Sequence, residues 1–295
     1  MASAELRLIR RRIRSVKSTM KITRAMELIA ASRIVRAQQR VIAAQPYTEK
    51  MNEVIRNVAA ASGRASHALL ETREVKTAGI MAVTSDRGLA GGYNSGILRM
   101  AEARLIEHKK AGIDTRVYAV GKKADGYFRY RKYQIEQAFL GVTDRPGYGD
   151  ARAIANVVMN DFAEGTVDSI EIFTTKYVSA LTQTPTRWPL LPIEPPEAPE
   201  DAETEATPVG YSYEPDAETI LGRLLPRYVE AMAFGILLDA SASEHAARRR
   251  AMKAATENAD ELVQILSRRA NQARQAEITT EISEIVGGAE ALTNA

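Results

Sequence analysis

Two stretches at opposite ends of the chain share one spacing, and together they restrict the fold more than any other feature. At the amino end, Leu6, Ile9, Ile13, Val16, Met20, Thr23, Glu27, Ala30, Ile34, Ala37, Val41 and Ala44 recur at steps of three and four. Glu27 is the only charged member of that series. At the carboxyl end, Met252, Ala255, Ala259, Leu262, Leu266, Arg269, Ala273 and Ala276 repeat the pattern. Such a repeat lays one narrow stripe along a helix and favours a left-handed coiled coil. The carboxyl helix has a start signal at Pro215-Asp216 and a stop signal at Gly287-Gly288. Some 70 helical residues would reach roughly 100 Å, more than a compact domain needs. Each stripe must be covered, and the simplest cover is the other stripe, in an antiparallel pair. A bundle of shorter helices is the alternative.

Between the two ends the period changes. Pro46 marks a kink in the first helix, and helix resumes from Met51 to Leu70 before breaking near Lys76. Residues 79–85, Gly-Ile-Met-Ala-Val-Thr-Ser, form a short apolar run of the buried-strand type. The glycine-rich turn Asp86 to Asn94 follows, then a helix from about Ser95 to Lys110. A strand at Thr115–Val120, a turn at Gly121, a short helix around Tyr127, a helix over 149–164 and a β-branched strand at Ser169–Tyr177 continue the alternation. This pattern predicts an α/β fold: a Rossmann-like βαβ domain with a mainly parallel sheet, carried between the long terminal helices. The boundaries expected are 1–75 for the first shaft helix, 76–215 for the central domain and 216–295 for the second, pairing with 1–57. Eight of the eleven prolines fall between Pro185 and Pro215, interleaved with acids. That composition reads as an extended acidic loop over 185–208, with Val209–Tyr213 able to rejoin the sheet.

The chain has no cysteine, which excludes disulfides, thiolate metal sites and cysteine nucleophiles. Its three histidines, His67, His108 and His245, are far apart in sequence and argue against a histidine metal cluster. No apolar run approaches the ~18 residues of a membrane span, and the Arg-rich start continues into the seam rather than reading as a targeting segment. Net charge is only +3 but unevenly placed. The first 40 residues hold eleven Lys or Arg against Glu5 and Glu27, whereas residues 194–218 hold nine acids and no base. A basic helix suits an acidic protein collar, a nucleic acid or an anionic surface.

Catalytic and cofactor sites are weakly supported. Gly88, Gly91, Gly92 and Gly96 could admit a phosphate, but their spacing is neither dinucleotide fingerprint nor P-loop, and no lysine follows. A tight strand-to-helix turn accounts for them. Asp239, Ser241 and His245 are close in sequence, but at helical spacing Ser241 and His245 merely share a face. The expectation is no catalytic residue, no cofactor and no metal. Two rivals to a structural role are a basic coiled coil gripping nucleic acid, with affinity falling steeply in salt, and a nucleotide-binding Rossmann protein.

Four blocks then point to a family. Residues 278–291, Ile-Thr-Thr-Glu-Ile-Ser-Glu-Ile-Val-Gly-Gly-Ala-Glu-Ala, resemble the carboxyl-terminal signature of the gamma subunits of F-type ATP synthases. Residues 21–33, 85–94 and 247–258 are similar to three further blocks of that family, in the same order. The resemblance implies a central rotor shaft that couples proton flow through the membrane to ATP synthesis or hydrolysis. Its terminal helices would turn inside the hexamer of alpha and beta subunits, and the Rossmann-like domain would pack on the epsilon subunit and the membrane c-ring. It places Met26 and Arg248 at an acidic collar loop of a beta subunit, and Arg274, Gln275, Thr279 and Glu281 at the hexamer's catch loops and bearing. ATP chemistry would belong to the beta subunits, leaving this chain without a small-molecule substrate or a nucleic-acid partner. Ala90 stands where many members carry cysteine, and the acidic loop has no cysteine pair, which rules out thiol control as in chloroplast members. With no transit peptide, the expected location is the cytoplasmic face of a bacterial plasma membrane, peripherally bound.

Overall fold

The computed structural model describes residues 4–62, 67–194 and 216–293. The chain divides into two compact units, one of residues 1–30 with 248–295 and one of residues 31–247. Helices α1 (Ala4–Ser62) and α5 (Ala217–Thr293) contribute to both.

In the first unit the two helices run antiparallel along the seam. Leu6, Thr23, Glu27 and Ala30 of α1 are buried, as are Met252, Val263 and Leu266 of α5. Thr23 and Thr256 meet by their hydroxyls at 2.8 Å. Glu27, the seam's one acid, accepts from Arg24 at 2.9 Å, so its charge is compensated where it is covered. The carboxyl seam corrects the sequence expectation near its end. Arg269 and Ala276 are exposed, whereas Ala270, Ala273 and Glu277 are partly covered. The stripe moves one position later after Leu266 because Ala270 can face the partner helix without burying a guanidinium.

The described part of α1 starts at Ala4. Nineteen residues separate Ala4 from Thr23, and the same count forward from Thr256 reaches Gln275. From Ile278 to Ala289 every residue of α5 is exposed. The helix also continues through Gly287 and Gly288 to Thr293, past the expected stop. A helical glycine costs only about 1 kcal/mol relative to alanine, which does not force an end. Residues 209–213 lie outside the described residues, as does most of the acidic loop.

The second unit is built on a five-stranded sheet of order β3-β2-β1-β4-β5. Its strands are β1 (Thr77–Val83), β2 (Asp114–Val120), β3 (Ile135–Phe139), β4 (Ser169–Tyr177) and β5 (Gln183–Leu191). Strand β1 pairs in parallel with both β2 and β4. That central position explains why Ala78 to Val83 are all buried, since both faces are covered by helices. On one face Ile80, Ala82, Val117 and Ala119 pack against Tyr93, Ile97 and Leu105 of α2 (Tyr93–Lys110) and Phe128 of α3 (Lys122–Tyr130). On the other, Met81, Val83, Tyr118 and Ile172 pack with Ile154, Val158 and Phe162 of α4 (Tyr148–Ala163). Ile55 of α1 and Leu225 and Val229 of α5 belong to that second cluster.

Strand β5 overturns the loop reading for residues 185–191. It pairs antiparallel with β4, placing Pro185 opposite Thr175 and Pro189 opposite Glu171. Prolines are tolerated there because β5 is an edge strand, with one side that needs no N–H donor. The sequence also gave no sign of β3, which is five residues long and half-exposed. The interior proline of α1, Pro46, does not interrupt the helix assignment. Its exposed position leaves the unpaired Ile42 carbonyl to water.

Gly121, after β2, has φ +90°, and a Cβ there would lie 2.3 Å from the Thr84 carbonyl oxygen, so only glycine fits. The turn after β1 is organised by Asp86. Its Oδ1 accepts from the backbone N–H groups of Lys122 at 3.1 Å and Gly141 at 2.9 Å. Its Oδ2 accepts from the Thr143 backbone at 3.2 Å and hydroxyl at 2.9 Å. One carboxylate thereby ties together the segments leaving β1, β2 and β3.

Candidate partner-contact surface

In open α/β sheets, ligands enter the crevice outside the carboxyl ends of the strands, where strand order reverses. Here that reversal lies between β1 and β4, and α5 occupies it. The Tyr93 hydroxyl at the start of α2 donates to the Ala240 carbonyl at 3.1 Å. The Ser243 hydroxyl donates to the Thr175 carbonyl at 3.2 Å. Ala240, Ser243 and Ala246 are all buried. Polar groups of the glycine turn are also taken up: Asn94 Oδ1 accepts from the Ser85 backbone at 2.9 Å, and Asn94 Nδ2 donates to the Ser85 hydroxyl. A nucleotide at this crevice would have to displace the helix.

The same stretch of α5 holds the three residues that invited a hydrolytic reading. Ser241 donates its proton to the Asp144 carbonyl at 3.1 Å, and not to an imidazole. His245 Nε2 lies 3.8 Å from Asp144 Oδ1. Asp144, Glu244 and His245 bring candidate metal-ligand atoms within 4.8 Å of one another. Both Asp144 oxygens, however, accept from Arg33 Nη1, at 2.5 and 2.8 Å. A guanidinium that holds both oxygens of the carboxylate opposes a second cation there. The cluster is an ion-pair lock between α1, the loop before α4, and α5.

Asp239 stands apart from this lock. Burial pushes its carboxyl up to about 6 from an ordinary 3.8, and Lys176 offsets only part of that effect. A carboxyl with a raised folded pKa destabilises the fold when it ionises, so the loss sets in as pH rises from about 4 and is complete above about 6. Asp239→Asn is therefore expected to raise stability at pH 8 by about 2–3 kcal/mol and by far less at pH 4. Urea denaturation at the two pH values measures this, and an equal effect at both would dismiss it.

The six residues expected to touch partners fall into two groups. Met26 is half-buried and Arg248 is 8% exposed, so neither presents a fully open side chain. Arg274, Gln275, Thr279 and Glu281 are exposed along the part of α5 where its partner ends. The Thr279 hydroxyl donates back to the Gln275 carbonyl at 3.0 Å, a bond confined to the helix itself. Between these residues runs an exposed apolar stripe not singled out from the sequence: Ile278, Ile282, Ile285 and Val286, 45 to 71% exposed. Its i, i+4, i+7, i+8 spacing was the signal available. The outer face of α1 carries further exposed apolar side chains at Ile22, Leu28, Ile29, Val35 and Ile42. Patches of this kind on a soluble chain mark interaction surfaces. No helix among the described residues is long and apolar enough to cross a membrane.

Known proteins place this arrangement. A family model described as ATP synthase matches residues 5–292. An ATP synthase gamma chain of Saccharopolyspora erythraea is 48% identical over 307 residues, covering 99% of each chain. That of Acidothermus cellulolyticus is 49% identical over 299 residues, covering 98% of this chain and 97% of the relative. Among solved structures, a chain of the Euglena gracilis mitochondrial ATP synthase superposes with TM-score 0.68 at 18% identity, covering 98% of this chain and 94% of that one. A chain from the central stalk and c-ring structure of the Tetrahymena thermophila enzyme gives 0.60 at 22% identity, with 79% and 99% covered. Sequence identity of this extent over the full length settles membership: the chain belongs to the ATP synthase gamma chain family.

Proposed function

We infer that this chain is the central rotor shaft of an F-type ATP synthase, transmitting torque between a membrane c-ring and the alpha/beta hexamer. The observation that carries the reading is the end of α5. Among the described residues, α5 is exposed from Ile278 to Ala289 and bears Ile278, Ile282, Ile285 and Val286 on that stretch. An apolar stripe on a bare helix needs a surrounding surface, and apolar contacts are non-directional, so the helix can turn without breaking fixed bonds at each step. Arg274, Gln275, Thr279 and Glu281 flank that stripe and would meet the hexamer near the bearing.

Below it, the paired helices supply stiffness. A coiled coil whose seam is filled by the buried Leu6, Ala30, Met252 and Leu266 resists relative sliding, because sliding would uncover them. The sheet-containing unit would pack on the epsilon subunit and c-ring. The chain carries no chemistry of its own in this reading, and ATP turnover belongs to the beta subunits. It would work at the cytoplasmic face of a bacterial plasma membrane, held there by its partners.

Co-purification of this chain with alpha, beta and epsilon subunits, and ATP-driven rotation of a probe attached to it, tests the role. A complex that assembles and rotates without this chain would sink it. The collar offers a sharper measurement. Met26 is a neutral, flexible side chain on a basic helix, able to slide past an acidic loop. Met26→Lys adds a cation able to form a charge-assisted bond of about 1.5–3 kcal/mol in a partly dry interface. Normal assembly with poor coupling of ATP turnover to proton pumping, worse at low salt, is expected. Coupling equal to the parent at every ionic strength would remove Met26 from the collar.

A further inference from the structure

A cavity of about 440 Å³ opens in the sheet-containing unit, lined by Arg33, Arg36 and Arg40 of α1, Arg145 and Gly147 of the loop before α4, and His245 of α5, with Asp144 at its wall. Its size lies within the roughly 300–1,000 Å³ of small-molecule sites. Arg33, Arg36 and Arg40 share one face of α1 by their i, i+3, i+7 spacing. Two of the four arginines are pinned: Arg33 to both oxygens of Asp144, and Arg40 to the Pro146 carbonyl. The other two lie between those pins in sequence, Arg36 on the helix and Arg145 in the loop. Neither has a hydrogen bond or ion pair among the described residues. Four guanidiniums line the concavity against the carboxylate of Asp144 and that of Glu244 within 4.8 Å of it, which leaves the surroundings net positive.

We propose that this cavity binds a small multiply charged oxyanion of the phosphate class, held chiefly by Arg36 and Arg145. The pinned pair fixes the walls, so little ordering is left to the moment of binding. The uncommitted pair supplies planar donor forks, whose geometry matches the oxygens of phosphate. The start of α4 adds little, because the Gly147 N–H is already accepted by Asp150 at 2.8 Å. A metal ion is not the occupant, since Arg33 covers Asp144. A free phosphate or pyrophosphate and the phosphate tail of a nucleotide share the required chemistry, and they separate by whether adenosine adds affinity.

Isothermal calorimetry on the full chain, with inorganic phosphate, pyrophosphate and ADP as probes at physiological ionic strength, tests the site. Saturable 1:1 binding of phosphate or pyrophosphate is expected. In Arg36→Gln/Arg145→Gln it should weaken by about tenfold or more, with an unchanged melting temperature because both side chains are exposed and unbonded. Arg10→Gln/Arg11→Gln, which alters a basic patch elsewhere on α1, should leave the affinity unaltered. Tighter binding of ADP than of pyrophosphate assigns the site to nucleotide phosphates, and equal or weaker binding assigns it to the free anions. No binding at millimolar phosphate or pyrophosphate overturns the proposal, as does equal binding by the Arg36/Arg145 variant. An oligoglutamate peptide that binds where phosphate does not would reassign the cavity to a protein carboxylate.

Discussion

Asp86→Ala is expected to lower the stability of the sheet-containing unit by about 3 kcal/mol, a large effect for one half-buried turn residue. The carboxylate accepts four hydrogen bonds from three residues on two segments, and its removal strands the N–H groups of Lys122, Gly141 and Thr143 together. Burial alone would raise its pKa, but the bonds from Gly141, Thr143 and Lys122 outweigh that and hold it below the ordinary 3.8. A depressed carboxyl contributes stability that is complete above about pH 4 and is lost as pH falls through the folded value. The penalty of Asp86→Ala should therefore shrink in acid. Asp86→Asn should cost about half as much. Its carbonyl can still serve Lys122 and Gly141, while its amide would face the Thr143 donors. Urea midpoints at pH 7 and pH 3 distinguish the cases. An Ala variant as stable as Asn, or a penalty that grows in acid, would show that Asp86 is only a turn former.

What could be read in advance follows from how local each signal is. Strand β4 is legible because Ser169–Tyr177 is β-branched and bounded by turn residues, and its predicted limits match the structure. The seam of α1 is legible because its steps of three and four run unbroken from Leu6 to Ala44, and every member is buried or half-buried. Strand β5 is illegible because its prolines exclude a central strand, and only the sheet order makes it an edge. Strand β3 failed because Glu136 and Gln137 hide its short apolar content, while its pairing with β2 and the Arg116–Glu136 ion pair are set by tertiary structure.

The surfaces show the same division. The residues expected to meet partners at the α5 tip come from a family resemblance, and Arg274, Gln275, Thr279 and Glu281 are exposed. The cavity of arginines could not be found that way. The basic excess of the first helix was plain, but Arg33 and Asp144 are 111 positions apart, and only the fold reveals which arginines are spent and which are not. The closed crevice is similar. Glycines after β1 raise a nucleotide hypothesis locally, and a helix some 150 residues further on removes it through Tyr93 and Ala240.

Leu266→Ala should destabilise the paired helices by about 2–5 kcal/mol, because the side chain is 3% exposed and its loss leaves a cavity in a narrow seam. Leu262→Ala should cost less, since Leu262 is only half-buried while Val263 beside it is 8% exposed. The contrast that decides the phase of the seam is with Arg269. A strict continuation of the repeat places Arg269 against α1, where truncation to alanine would remove a covered stem or relieve a buried charge. The structure instead turns Arg269 to solvent and brings Ala270 in. Arg269→Ala should then change stability by no more than about 0.5 kcal/mol, whereas Ala270→Asp should cost several times that by placing a charge at the seam. Far-UV circular dichroism during urea denaturation reads all four. If Arg269→Ala proves as damaging as Leu266→Ala while Ala270→Asp is silent, the seam keeps its original phase. The helix would then leave its partner with a different face exposed, and the apolar stripe from Ile278 to Val286 would need another explanation.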